Sequence, residues 1–288
     1  MSVSDVDITA LGRPISGPTA TGDDPRRFWT LTRTLAMTDF KLKFFGSALG
    51  YLWQLMRPLL LFGVLYFVFT QVVNLSGKAP YFGIALLLGI VLYGFFSETT
   101  GGGVRCLMDR ENLVRKIDFP RLAVPTAVVL TGLMNLGLNL IAVFVFLMIS
   151  GGHVSWTWLE LPLLIAALMV ECLGFAMLLS VSFVKYRDVA PIWDVVLQAL
   201  FYATPIFYTV QTISGPHAQA IVRLLLSNPL AAIIQQARHA LIGPSYPTAA
   251  AAMGGTIWLL IPVGVTVIVF VWGFLVFRRA APRVAELL

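Results

Sequence analysis

Six stretches of apolar residues, each long enough to cross a lipid bilayer, run through this sequence. They cover residues 52–73, 82–104, 122–149, 161–184, 189–210 and 249–277. A helix needs about 20 apolar residues to span the hydrocarbon core. Apolar residues make up 58% of the 288-residue chain and charged residues only 12%, too few to cover the surface of a soluble globule of this size. The sequence therefore predicts an all-α polytopic membrane protein with six transmembrane helices in a domain covering residues 46–280.

Lysine and arginine are divided unevenly between the two sides of the predicted membrane. Seventeen of the 20 fall on one side, and only Lys78, Arg223 and Arg238 fall on the other. Since cytoplasmic loops carry the excess of positive charge, both termini are predicted to be cytoplasmic. Topology thus explains the formal net charge of +6, and no nucleic-acid partner is expected. Residues 1–25 are predicted to be a disordered cytoplasmic tail, and residues 281–288 a second, short tail.

Residues 26–45 are neither apolar enough to span a bilayer nor polar enough to form a linker. In a helix, Phe28 and Leu31 lie on one side and Arg33 lies opposite, although Asp39 interrupts the apolar stripe. We predict an N-terminal amphipathic helix in the inner membrane interface. A helix packed on a protein partner is the alternative.

Two connecting segments contain apolar pieces too short to span. Charged and apolar residues mix in the cytoplasmic loop of residues 105–120, which ends at Pro120, and this predicts a short amphipathic helix. On the outer side, residues 213–245 hold two apolar pieces, which predicts short re-entrant helices between spans five and six. Irregular backbone at membrane depth requires protein or a water-filled cavity around it.

Motifs for catalysis by the chain alone are missing from the sequence. It has no GxxxxGK[ST] loop for nucleotide phosphates, no HExxH and no GxSxG. Cys106 and Cys172 are interpreted as inert packing thiols, and no metal site is expected. Glu171 and Asp194 lie within predicted spans, where ionisable residues are costly, and the sequence leaves open whether they pack or carry protons.

Five segments occur in an order that is typical of one family. They are FGSALGYLWQLMRPLL at 45–60, ENLVRKIDFPR at 111–121, KYRD at 185–188, ATPIFY at 203–208 and NPLAAIIQQARHAL at 228–241. Across roughly residues 26–280 the chain resembles the membrane subunit of type-2 ABC exporters. The similarity is to the branch that exports lipid-linked polysaccharides such as O-antigen, teichoic acid or cell-wall glycan.

This resemblance implies a multi-pass protein of the bacterial cytoplasmic membrane, surrounded by membrane lipids. It implies a homodimer with two copies of a separate ATPase subunit, which would hold ATP and Mg, and a lipid-linked glycan as cargo. The loop of residues 105–120 corresponds to the helix that couples the family's membrane subunit to its ATPase.

Site residues are carried over by position. The implied contacts with the ATPase are Glu111, Asn112, Leu113, Arg115, Lys116, Phe119, Tyr186, Arg187 and Asp188. The candidates for glycan contact in the pore are Tyr66, Phe69, Phe201 and Tyr202, and those for the anionic lipid head group are Arg33 and Arg57.

Three alternative functions stay open at this point. One is a type-2 ABC exporter of a drug or small lipid. Another is a proton-coupled secondary transporter that uses Glu171 and Asp194. The third is a membrane scaffold without transport activity.

Overall fold

A computed structural model of the chain describes residues 24–45, 50–73, 81–111, 119–151 and 155–287. Within these ranges the regular secondary structure is helical. The α-helices are α1 Pro25–Phe44, α2 Tyr51–Phe67, α3 Phe82–Arg105, α4 Ala123–Ile149, α5 Glu160–Lys185, α6 Val189–Ala203, α7 Ala218–Leu226, α8 Pro229–Ile242, α9 Ala249–Met253 and α10 Leu260–Leu287. Most of the predicted N-terminal tail, residues 1–23, lies outside the described residues.

Five helices in the described ranges have the length and apolar composition to cross a membrane. With their π- or 3₁₀-helical extensions they are Tyr51–Val72, Phe82–Arg105, Ala123–Ile149, Trp156–Lys185 and Thr256–Ala281. A sixth span results if the bent pair α7 and α8 is counted as one. The predicted all-α polytopic membrane fold is confirmed.

Two predicted spans are broken by turn residues. The fifth was expected over residues 189–210, but α6 ends at Ala203 because Thr204 is extended (φ −87°, ψ 136°) ahead of Pro205, which restricts the residue before it. The sixth was expected over residues 249–277. There the chain turns at Gly254 and Gly255, whose φ angles of 83° and 146° favour glycine, so the spanning helix begins only at Thr256.

Two short helices occupy the outer segment of residues 213–245. They are α7 and α8, and they meet at an angle of 103°. The side chain of Asn228 caps α8 by accepting a hydrogen bond from the backbone of Leu230 at 3.1 Å, and Pro229 occupies the first turn, where a missing N–H costs nothing. Local sequence thus determines where the second helix begins.

Helix α3 lies at the centre of the bundle. It packs against α2, α4, α5, α6 and α8, and most of its side chains are buried. On the far side of α5, α10 packs so closely that a Cβ added at Gly273 would lie 2.5 Å from the carbonyl oxygen of Gly174. Because only glycine permits this approach, Gly273 fixes the distance between these two helices.

Helix α1 corresponds to the predicted amphipathic segment, and its buried side packs against α4 of the same chain. Thr32 and Ala36 are fully buried there, and the Thr131 hydroxyl donates to the Ala36 carbonyl at 3.3 Å. Asp39, which interrupts the apolar stripe, forms an ion pair with Arg110. Packing within the chain therefore accounts for this face of α1, and its position at the membrane surface stays a prediction.

Candidate transport cleft

A cleft of about 1190 Å³ lies between α1, α2, α3, α4 and α6. Gly94 on α3 lines the cleft, and the space beside it is open, because an added Cβ there would meet no atom within 4 Å. Side chains from four further helices form the walls. The cleft thus joins segments from distant parts of the sequence.

Helices α3 and α6 run antiparallel along this cleft. The Tyr93 hydroxyl donates to the Leu197 carbonyl, and Trp193 Nε1 donates to the Thr100 hydroxyl at 3.1 Å. These two pairs place the start of α6 beside the end of α3. Charged residues therefore gather at one end of the cleft and aromatic residues at the other.

Glu98 is the hub of the charged end. Its carboxylate pairs with Lys43 of α1, and it accepts hydrogen bonds from Gln54 of α2 at 3.3 Å and from Asn135 of α4 at 2.8 Å. Three donors on three different helices thus meet on one side chain of α3. The Asn135 side chain thus forms a hydrogen bond between α4 and α3.

Arg57 and Asp194 also line the cleft, and both are exposed. Neither forms an ion pair or side-chain hydrogen bond with the described residues. The two cations Lys43 and Arg57 balance the two carboxylates Glu98 and Asp194 in formal charge. An anionic group would therefore bind here by pairing with one side chain, and Arg57 is the unpaired cation among those lining the cleft.

The aromatic end is a connected group of rings. Phe201 lies 5.1 Å from Tyr93 and 5.5 Å from Tyr202 between ring centroids. Phe207, in the irregular segment after α6, stacks on Phe69 at 5.3 Å and lies 6.0 Å from Tyr202. Phe69 belongs to a π-helical turn, Val68–Val72, and such turns are frequent at functional sites.

The structure brings together three of the six predicted cargo contacts. Phe201, Tyr202 and Arg57 line the cleft, whereas Phe69 does not; its ring stacks on Phe207, which lies 6.0 Å from Tyr202. Tyr66 does not line it: its ring contacts Phe62 at 5.4 Å.

Arg33 is also outside the cleft. It lines a separate surface groove of about 410 Å³ along α1, with Trp29 and Lys41. Its predicted role as a head-group contact would thus require a second site on α1.

Of the predicted ATPase contacts, Asn112, Leu113, Arg115 and Lys116 lie outside the described residues. Glu111 is the last described residue before this gap. Phe119 is 5% exposed and packs with Val124 and Phe277, so its ring anchors the loop to the bundle.

The second predicted contact region is the loop between α5 and α6. Tyr186, Arg187 and Asp188 are exposed there, and Tyr186 has 58% of its surface accessible. Their role as contacts stays a prediction.

Several residues of the cleft were not among the sequence-based candidates. Lys43, Tyr93 and Glu98 lie outside the five family segments, and Gln54 lies in the segment 45–60 but was not a site candidate. Phe207, which contacts the lining rings Phe201 and Tyr202, belongs to the family segment ATPIFY, which was the available signal for it.

Of the two carboxylates considered for proton transfer, Asp194 lines the cleft and Glu171 does not. Glu171 is 2% exposed in α5. Burial raises the pKa of the Cys106 thiol to about 12, which keeps it protonated at neutral pH. Among the described residues no three His, Cys, Asp or Glu side chains are grouped to hold a metal ion.

A polytopic helical bundle with a cleft that is charged at one end and aromatic at the other defines a membrane transport subunit. The chain belongs to the ABC-2 type transporter family, whose family model matches residues 30–242. It is 30% identical over 201 residues to the O-antigen export system permease protein RfbA of Myxococcus xanthus, covering 70% of this chain and 76% of that protein. It is 26% identical over 255 residues to a protein of the same name from Klebsiella pneumoniae, covering 87% of this chain and 92% of that protein.

Proposed function

We propose that this chain is the channel-forming membrane subunit of an ATP-driven exporter that moves a lipid-linked polysaccharide across the bacterial cytoplasmic membrane. The cargo class is that of O-antigen, teichoic acid or cell-wall glycan. The observation that carries the proposal is the cleft, whose lining continues from a charged end to the aromatic rings of Tyr93, Phe201 and the exposed Tyr202. The names of the relatives from Myxococcus xanthus and Klebsiella pneumoniae support the choice of cargo.

The aromatic end suits a long polar chain that must slide. Phe201 and Tyr202 line the cleft and offer apolar ring faces, and the tyrosine adds a hydroxyl. Sugar rings can stack on such faces without a single tight site, which a moving chain requires. Arg57, the unpaired cation, would pair with the anionic head group of the lipid, and Arg33 in the groove on α1 would meet it earlier.

We further propose that two copies of the chain form the pathway. Apolar side chains spaced by helical turns are exposed on α2 and on α6. They are Leu60, Val64 and Phe67 on α2, and Ile192, Val195 and Tyr202 on α6. Since Tyr202 also lines the cleft, a second copy placed by a two-fold axis on these helices would close the cleft into a channel.

ATP hydrolysis belongs to a separate nucleotide-binding subunit in this proposal. Two copies of it, with ATP and Mg, would bind the loop after α3 and the exposed loop at Tyr186. The ion pair of Arg110 with Asp39 joins the loop after α3 to α1, and Lys43 lies one turn further along α1 at the cleft. Movement of that loop would therefore reach the charged end of the cleft.

Deletion and purification together test the proposal. Deleting the gene in its native host should abolish surface glycan and leave lipid-linked glycan inside the cell. The tagged chain, purified in mild detergent, should bring an ATPase with a Walker A motif at equal stoichiometry. If surface glycan is unchanged but the ATPase is still bound, the cargo is another compound, such as a drug or small lipid. If no ATPase is bound and transport follows the proton gradient, the ATP-driven exporter is the wrong class.

A further inference from the structure

Arg238 is a fully buried cation whose role in the proposed export is not explained by charge pairing. It lies on α8 and is 0% exposed. Neither of the ion pairs between described residues involves it. Burying a charged group costs free energy unless hydrogen bonds replace its water. The hydrogen-bond partners of Arg238 should therefore indicate its function.

Within the part of the chain that the structure describes, the guanidinium donates to three backbone carbonyls. Nη2 donates to Ile206 at 2.7 Å, Nε donates to Ala85 on α3 at 3.2 Å, and Nη1 donates to Tyr208 at 3.5 Å. Two of these acceptors flank Phe207 on either side. One side chain on α8 thus fixes the backbone on both sides of that ring.

Neighbouring residues accommodate the guanidinium of Arg238 and hold the same backbone segment. A Cβ added at Gly89 on α3 would lie 3.1 Å from Nη2, so glycine leaves room for the guanidinium. At the other end of α8, Asn228 donates to the Thr204 hydroxyl at 3.3 Å. Asn228 and Arg238, near opposite ends of α8, therefore both hold the irregular segment that follows α6.

The ring held in this way does not itself line the cleft, but it contacts two rings that do, Phe201 and Tyr202. Phe207 stacks on Phe69, and its centroid lies 6.1 Å from Phe201, 6.0 Å from Tyr202 and 5.3 Å from Tyr208. A shift of the backbone at Phe207 would therefore change four ring contacts together.

We propose that Arg238 is the positioning residue of the aromatic end of the cleft, and that it acts on cargo passage through Phe207. The proposal rests on the proposed function, since it assumes that cargo contacts these rings. Only guanidinium has enough donors in a fixed plane to reach carbonyls on two separate segments. A lysine at this position keeps the charge but cannot reproduce the planar arrangement.

The test compares Arg238→Lys, Phe207→Ala and the double variant in the native host, with the whole exporter present. The measurements are the amount of folded protein in the membrane and the rate at which glycan reaches the surface. Arg238→Lys is expected to slow export per folded molecule by about fivefold, as is Phe207→Ala. The double variant should export no more slowly than Phe207→Ala alone, because residues that act through one contact are not additive.

Arg223→Lys is the matched control. Arg223 is also on the outer side in the predicted topology; it donates to the Met253 carbonyl at 2.9 Å and lies over the Trp258 ring. It does not contact the aromatic end, so its replacement should leave export unchanged in both backgrounds. If Arg238→Lys does not accumulate, Gly89→Ala, which displaces the guanidinium without removing it, takes its place with the same expected non-additivity.

Three results would overturn either the proposal for Arg238 or the proposed role of the aromatic end. Independent, multiplicative losses in the double variant overturn the proposal and make Arg238 a general support of the bundle. Failure of both Arg238→Lys and Gly89→Ala to accumulate also overturns it, because the site is then a folding requirement. Normal export by Phe207→Ala alone removes the role of the aromatic end from the proposed function itself.

Discussion

Replacing Glu98 should destabilise the bundle far more than replacing the other carboxylate of the cleft. In Glu98→Ala, the amide of Asn135, which is 2% exposed, loses its acceptor, and an unsatisfied buried donor costs about 1–3 kcal/mol. The ion pair with Lys43 is partly exposed and adds only about 0–1 kcal/mol. The expected loss in the free energy of unfolding is thus about 1–4 kcal/mol.

Two further variants separate the contributions. Glu98→Gln keeps an acceptor oxygen for Asn135 and should cost about 1 kcal/mol or less. Asp194→Ala is the control, because Asp194 lines the same cleft without a hydrogen bond or ion pair to the described residues, and its effect should stay within about 0.5 kcal/mol. Reversible unfolding in mixed micelles measures all three. Equal stability of Glu98→Ala and Asp194→Ala would refute the idea that Glu98 joins the helices.

Three other predictions follow from single positions. Gly273→Ala should greatly reduce the yield of folded protein, because the added methyl would meet the Gly174 carbonyl. Gly264→Ala on the same helix is the control, since that position has open space, and it should give a normal yield in detergent chromatography. Cys106 should resist maleimide up to about pH 9 in the folded protein and react rapidly once unfolded, because burial raises its thiol pKa to about 12; rapid labelling of the folded protein would contradict this. Leu113→Ala should reduce the amount of ATPase that co-purifies with the chain, and full retention would remove this residue from the coupling contact.

The membrane-spanning helices were the most predictable part of the fold. The predicted ranges 82–104, 122–149 and 161–184 match α3, α4 and α5 to within one residue at each end. Apolar runs of this length form helices in a bilayer because every backbone polar group must be paired internally. The errors occurred where local turn chemistry overrode hydropathy, at Pro205 and at Gly254 with Gly255, and both signals were visible in the sequence.

The cleft was predictable only in part. Phe201 and Tyr202 were candidates by the family resemblance, whereas Tyr93, the third ring that lines the cleft, was not. The hub at Glu98 joins residues that are 37 to 55 positions apart in the chain, and no local pattern indicates such pairing. Arg238 was counted only as one of three outer cations, because burial of a charge depends on the packing of α8 against α3.

Photo-crosslinking from within the cleft tests most directly whether cargo passes there. A photoreactive phenylalanine analogue at position 202 should capture glycan in exporting cells, detected by antibody against the glycan on the purified chain. The control position is 272 on α10, where Trp272 is 61% exposed but does not line the cleft. Capture at 202 and not at 272, lost when ATP hydrolysis is blocked, is the predicted result. Equal capture at both positions, or none at 202 while export proceeds, would contradict passage through the cleft.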